Sequence, residues 1–427
     1  MLEPQSTWLF LLLLVASGGL MCWLVVAKQP VLRVLAACLA FVPAMLFGVA
    51  AVNKYYGYYQ TWSDVWSDFG NKGVKSISAA PVSGTGSSKQ FDTLLGHDVN
   101  TRAAAEQGVT VSLGMTGAST HITRDVYVYL PPEYFQPQWA NYRFPAIELL
   151  HGSPGTPQDW LTVMHAPGTL DSLISSRQAD PAVLVMPDAN GGKRLSRQCL
   201  NEVGGTADET FLAYDVPAFV ASTVRVEPPG QAWGVTGYSE GGFCAANMAL
   251  RHPLRFGFAG VVSGYFQPLG YNRTPARLDP FHGNRVLKLQ NTPTYELRTA
   301  PRSAVVPEFW LAAGSHDNAD VAGARYFQQL MLERHPDTLL RLIPGGHTAP
   351  VWRAALPLMY TWMTPRLAQA AQQAGEPQPC PSCLTAPVVP PEAPAPPGQP
   401  KVAQPQPPNP KSTVQQKQAQ VPAKGRT

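Results

Sequence analysis

The chain has 427 residues, 43 of them proline, with 14% charged residues and a formal net charge of +4. So low a charged fraction, against roughly 25% in soluble domains, combined with about twice the usual proline share, excludes a single compact soluble domain. Most of the positive excess falls in 376–427, where Lys401, Lys411, Lys417, Lys424 and Arg426 outnumber Glu376 and Glu392; it marks a tail and gives no case for nucleic-acid binding.

Two apolar runs come first. Trp8 to Ala27 carries no charge and Val31 to Val52 carries only Arg33, so each matches the roughly 20 residues that cross a bilayer as a helix. A cleaved signal peptide would need a basic start, whereas the chain opens Met1-Leu2-Glu3-Pro4. The expectation is a two-helix anchor over 1–55, with the bilayer as a partner. Lys28 and Arg33 in the short link place it in the cytoplasm, and everything after residue 52 outside.

Tyr55, Tyr56, Tyr58, Tyr59, Trp62 and Trp66 follow at once, as an aromatic belt at the outer headgroup layer would. Residues 70–90 are rich in Gly and Ser and lack a hydrophobic period; they read as a flexible tether inside a juxtamembrane segment and linker spanning 56–105. At the far end, 376–427 is dominated by Pro, Gln, Ala and Lys and is expected to be a disordered tail.

Between them lies a catalytic domain over 106–375. Strands are expected at 108–113, 122–130, 145–150, 182–186, 232–237, 258–263, 308–313 and 338–343, and helices at 169–178, 209–225, 241–251, 321–334 and 352–372. Strands alternating with helices imply an α/β fold: a mostly parallel sheet with helices on both faces.

Gly237-Tyr238-Ser239-Glu240-Gly241 carries the most specific signal. It stands between an apolar strand and a helical run, the context that makes G-x-S-x-G a nucleophile elbow with an exposed serine oxygen. A serine hydroxyl needs a base, and in this order the base comes last: His347, in Pro344-Gly345-Gly346-His347-Thr348, follows the final strand. An acid should follow the penultimate strand. Asp317 lies closest to the strand end, and Asp320 is the runner-up, suited to capping the next helix. Oxyanion donors are expected from the backbone N–H of Glu240 and of Ser153, the latter in Leu150-His151-Gly152-Ser153-Pro154-Gly155.

These motifs, with Met186-Pro187-Asp188 and with Trp352 five residues after His347, resemble the esterase family of α/β hydrolases over about 108–370. That family contains esterase D-like enzymes, feruloyl and enterochelin esterases, and secreted mycolyltransferases. The resemblance implies an α/β-hydrolase fold and ester chemistry at Ser239 and His347. His347-Thr348-Ala349-Pro350-Val351-Trp352 is similar to the mycolyltransferase histidine loop. In those transferases the acid is a Glu further along the following helix, where this chain offers Glu333.

Asp159, Trp160 and Asp188 lie in loops at the carboxyl ends of strands, where such sheets bind ligands, and are candidate substrate contacts. Cys199 and Cys244 fall on the oxidising side and form a candidate disulfide, while Cys380 and Cys383 belong to the tail. The segment 265–305, with Tyr265, Phe266, Tyr271, Phe281 and Tyr295, is either a lid or a packed insertion. No metal cluster, phosphate loop or nucleotide fingerprint stands out, and no cofactor is implied. The expectation is a cell-membrane-anchored serine esterase facing outward, acting on an ester or a lipid or sugar ester through an acyl-serine. The alternatives are an acyltransferase for envelope lipids or sugars, and a non-enzymatic envelope-binding protein.

Overall fold

Residues 183–187 place Val183 and Val185 in one apolar cluster and Leu184 and Met186 in another, on opposite faces of a single sheet. That double burial is why the strands read as continuous apolar runs. In this computed structural model, residues 2–70, 74–76, 91–93, 95, 99–192, 197–269 and 279–374 are described. The Pro-rich tail, Cys380, Cys383, Tyr271 and most of the 70–90 tether lie outside them.

The sheet has nine strands: β1 (Val74–Ser76), β2 (Val109–Thr116), β3 (Thr123–Leu130), β4 (Ala146–Leu150), β5 (Val183–Pro187), β6 (Gly230–Tyr238), β7 (Phe256–Val262), β8 (Glu308–Gly314) and β9 (Leu339–Ile343). Their order is β1-β2-β3-β5-β4-β6-β7-β8-β9. β3 pairs antiparallel with β2 and with β5, and from β5 onward every pairing is parallel. Eight strands stand where the alternation put them. The ninth, β1, is three residues inside the tether, paired parallel to β2. β4 sits between β5 and β6, so the chain reverses its direction of travel there, and the carboxyl ends of β4 and β6 lie side by side at the switch point. Glu148 of β4 is wholly buried without a hydrogen-bond partner among the described residues, and burial pushes its carboxyl well above the usual range.

Two long helices open the chain. α1 (Thr7–Val26) and α2 (Pro30–Tyr56) pack as a hairpin with Ala36 and Ala40 buried, Phe10 edge-on to Phe47 at 5.7 Å, and Lys54 donating to Thr7 Oγ1 at 3.2 Å. At 1.5 Å per residue they run about 30 and 40 Å, and each is long and apolar enough to cross a membrane. Their outward side chains, among them Trp8, Val15 and Val25, are exposed. A short helix, α3 (Trp62–Gly70), follows.

Five further helices place the site. α4 (Ala166–Ser175) and the long α8 (Ala349–Ala374) pack on one face of the sheet, where Trp160, Leu170, Trp352, Leu356 and Met363 share the core with Ile147 and Leu184. α5 (Val216–Thr223) and α6 (Glu240–Arg251) contribute Val220, Phe243 and Met248 to the opposite core. α7 (Asn318–Leu332) also adds to that core, through Ala324, Phe327 and Met331.

Candidate active site

Ser239 follows β6 in a conformation that few L-residues adopt, φ 56° and ψ −120°, before α6 begins at Glu240. The flanking glycines make the turn possible: a Cβ on Gly241 would run into the Leu150 carbonyl, and one on Gly237 into the Gly241 carbonyl. Only a chain without side chains at these points can press the elbow against the end of β4.

His347 reaches the elbow from the loop after β9. Its Nε2 lies 2.9 Å from Ser239 Oγ, so it can accept the hydroxyl proton. Its Nδ1 faces two carboxylates, Asp320 Oδ2 at 2.8 Å and Asp317 Oδ2 at 3.0 Å. A protonated Nδ1 donates to both, which fixes the tautomer that leaves Nε2 as the acceptor. Burial disfavours the imidazolium, but the hydrogen bond and charge of Asp320, helped by Asp317, outweigh it and raise the His347 pKa above its ordinary value. Burial likewise raises Asp320, against the pull of His347. These three residues also form a group close enough to share a cation, but a cation on Nδ1 would displace the proton that the tautomer needs.

The capping roles differ from expectation. Asp317 is the N-cap of α7 and its Oδ1 accepts from Asp320 N–H at 3.3 Å, while Asp320 sits in the first turn. The residue next to the strand end keeps a non-helical backbone, φ −94° and ψ 84°, as a cap does, whereas Asp320 is already helical. Glu333 closes the other end of α7, about 24 Å along the axis at 1.5 Å per residue, and plays no part at His347.

Ser153 follows β4 beside the elbow, in a loop held from beneath. His151 is fully buried, its Nδ1 donating to Gly152 O at 2.8 Å and its Nε2 accepting Ala189 N–H at 3.1 Å. Asp159 Oδ2 accepts from Tyr238 OH at 3.2 Å and from Thr156 N–H at 3.2 Å, tying this loop to the residue before the nucleophile. Asp159 is therefore a brace. Trp160 is fully buried, edge-on to Tyr238 at 5.1 Å, and cannot touch substrate; its position after a strand end reflects core packing. Asp188 Oδ1 accepts from Asn190 and Gly191 N–H. Despite burial, the neighbouring His151 and the amides of Asn190 and Gly192 hold its carboxyl down to about 2.

A cavity of about 500 Å³ opens onto Ser239 and His347. Its wall is largely apolar, with Tyr265, Phe266 and Leu269 from the chain after β7 and Ala319, Gly323 and Tyr326 from α7; Asp159, Trp160 and Asp188 stand outside this lining. Within 265–305, then, Tyr265 and Phe266 wall the site, while Phe281 is buried in the core and Tyr295 lines a separate groove. The α7 contribution escaped the sequence reading, although 319, 323 and 326 recur at helical spacing. The Sγ atoms of Cys199 and Cys244 are bonded, pinning the 197–200 turn to α6. Beside that bond, Gln198 pairs through both amide atoms with the backbone of Leu269, at 3.0 and 2.9 Å, which fixes one wall of the cavity.

With this geometry, similarity to known proteins becomes informative. Residues 117–363, more than half of the chain, match the family described as "Putative esterase". The chain belongs to this esterase family. Its fold is the α/β-hydrolase fold. An uncharacterised protein of Corynebacterium glutamicum is 26% identical over 272 residues, 61% of this chain and 63% of that protein. The MPT51 antigen of Mycobacterium leprae is 32% identical over 120 residues, 28% of this chain and 36% of its own. The chain thus spans less than two thirds of the length of these curated relatives. Among solved structures, a ferulic acid esterase superposes with a TM-score of 0.53 at 22% identity, covering 61% of this chain and 98% of that one, a likeness of fold.

Proposed function

We propose that the protein is a membrane-anchored serine esterase that cleaves a carboxylic ester through an acyl-Ser239 intermediate on the extracytoplasmic side. The hydrogen-bonded line from Ser239 Oγ through His347 to Asp317 and Asp320 carries this reading. Ser239 Oγ attacks the ester carbonyl carbon as its proton passes to His347 Nε2. The oxyanion is met by the backbone N–H groups of Ser153 and Glu240. Collapse breaks the bond to the alkoxy oxygen, which leaves as alcohol with the proton from His347. Water then attacks the acyl carbon, His347 takes its proton, and Ser239 Oγ recovers that proton as the acid departs. An alcohol in place of water turns the same steps into acyl transfer, and the half-exposed His347 leaves that choice to whichever nucleophile reaches it.

Residues 1–55 serve as anchor, 56–105 as juxtamembrane segment and linker, 106–375 as catalytic domain and 376–427 as tail. The length and apolarity of α1 and α2, with Lys28 and Arg33 in their link, support an anchor whose flanks face outward. The test is mass spectrometry of the full chain after reaction with a fluorophosphonate, beside Ser239→Ala. A label confined to the peptide holding Ser239, with ester turnover lost in the variant, is expected; labelling elsewhere or unchanged turnover overturns the assignment. Product analysis with a sugar acceptor separates hydrolysis from transfer.

A further inference from the structure

The chain leaving α2 is seated on the catalytic domain before the linker begins. Gly57 caps α2 with φ 69°, its N–H on Asn53 O at 2.7 Å, and the Asn53 side chain holds Tyr59 by both backbone atoms at 2.8 and 2.9 Å. The guanidinium of Arg353, on α8, clips this exit in place. Nη2 donates to Gly57 O at 2.8 Å, and Nη1 donates to Tyr58 O at 3.3 Å and to Val163 O, in the catalytic domain, at 2.7 Å. The Tyr58 ring meets Trp352 at 6.4 Å, and Trp352 meets the His347 ring at 5.3 Å. Asp64 lies 3.9 Å from His165 across the same junction.

Distance gives this contact its meaning. A Cβ on Gly57 would stand 2.5 Å from Pro350 Cδ, so α2 ends in contact with a residue only three positions from His347. Three residues span at most about 11 Å even fully extended. The apolar run of α2 closes near residue 52, so Gly57 rises about 8 Å above the hydrocarbon edge, within the headgroup layer. A domain held only by a flexible linker would sample many heights and orientations; one clipped at Gly57 keeps its base and nucleophile at the bilayer surface. The largely apolar cavity wall suits an acyl chain delivered from there.

Accepting the anchored-esterase reading, we propose that residues 57–64 dock on the Arg353 face to hold the Ser239 site at the membrane surface, so that the enzyme takes long-chain acyl esters from the leaflet that carries it.

The test uses the full chain in vesicles of phosphatidylcholine and phosphatidylglycerol, with methylumbelliferyl palmitate in the same or in separate vesicles, and soluble methylumbelliferyl acetate as reference. Wild type is expected to prefer the same-vesicle palmitate at least about tenfold. Arg353→Ala, which removes the clip, and Gly57→Val, which drives a side chain into Pro350, each erase that preference, with acetate kcat/KM within about twofold. Equal same- and separate-vesicle rates in wild type, a preference that survives both variants, or an acetate loss as large as the palmitate loss would each overturn the proposal. Wild type inert on both esters while Ser239 still takes the phosphonate would overturn the surface docking alone; a Ser239 that takes no label defeats the esterase reading as well.

Discussion

Trp352 lies nearly parallel to Tyr238, ring centroids 4.6 Å apart and 25° between planes, and meets His347 edge-on at 5.3 Å. One indole thus joins the residue before the nucleophile to the base, although nucleophile and base sit 108 positions apart in the chain. It is 2% exposed, and its Nε1 makes no hydrogen bond among the described residues, so its contribution is packing. Trp352→Ala should cost about 3–5 kcal/mol and lower kcat by loosening His347, with Trp352→Phe costing about half as much. Urea unfolding beside ester turnover checks both; an Ala variant as stable as wild type would remove Trp352 from the scaffold.

Two aspartates on one imidazole nitrogen predict redundancy. Asp317→Asn and Asp320→Asn alone should each lower kcat about 10- to 100-fold, because the remaining carboxylate still orients Nδ1–H; the double variant should approach the 10⁴-fold loss known for removing the only acid. Asp317→Asn leaves a competent cap, so its stability should barely move. A full loss in one single variant would identify that residue as the sole acid.

Much of this was readable from the sequence because the signals are local. A strand, two glycines around a serine and a helix specify the elbow wherever they occur, and the short continuous apolar run of 183–187 places a strand without knowledge of its neighbours. The second aspartate was not separable: 317 and 320 are one helical turn apart, and only the φ/ψ of Asp317 shows which one caps. Trp160 looked like a ligand contact because it follows a strand end; its burial depends on Tyr238, 78 positions away. The docking of Gly57 on Pro350 joins segments nearly 300 positions apart, and no pattern in either announces it.

The raised His347 pKa sets the pH response, with opposite signs for activity and stability. Nε2 accepts a proton only when the ring is neutral, so kcat/KM should fall as pH drops through a midpoint above the ordinary 6.5. The stabilisation from the charged ring and its aspartates is complete below the unfolded value and is lost as pH rises through the folded one. Asp320→Asn should move the kinetic midpoint downward. A midpoint at or below the ordinary value in wild type would contradict the double-carboxylate environment.

The Cys199–Cys244 bond closes a loop of 45 residues. Loop-closure entropy assigns it about 4 kcal/mol, so Cys199→Ser with Cys244→Ser should lower stability by about that amount. Because Gln198 beside it holds the Leu269 wall, long-chain esters should suffer more than acetate. Thermal unfolding with and without reductant, together with a chain-length series, tests this; equal losses on all chain lengths would confine the bond to stability.

Acyl-chain length should be read by α7. Ala319, Gly323 and Tyr326 present small residues and one phenol to the cavity. A Cβ on Gly323 would lie 3.6 Å from Phe266 Cδ2, an ordinary contact, so Gly323→Ala fits without displacing its neighbour. It should stabilise the helix by about 0.5–1 kcal/mol, since glycine is the costlier residue in a helix interior. Gly323→Leu projects three carbons beyond the alanine Cβ into the space and removes room for about as many methylenes of substrate. At about 0.8 kcal/mol per buried methylene the loss is on the order of 2 kcal/mol, or about 30-fold in the ratio of long- to short-chain kcat/KM. A chain-length profile that stays flat in Gly323→Leu would place the acyl group elsewhere and leave this wall to the departing alcohol.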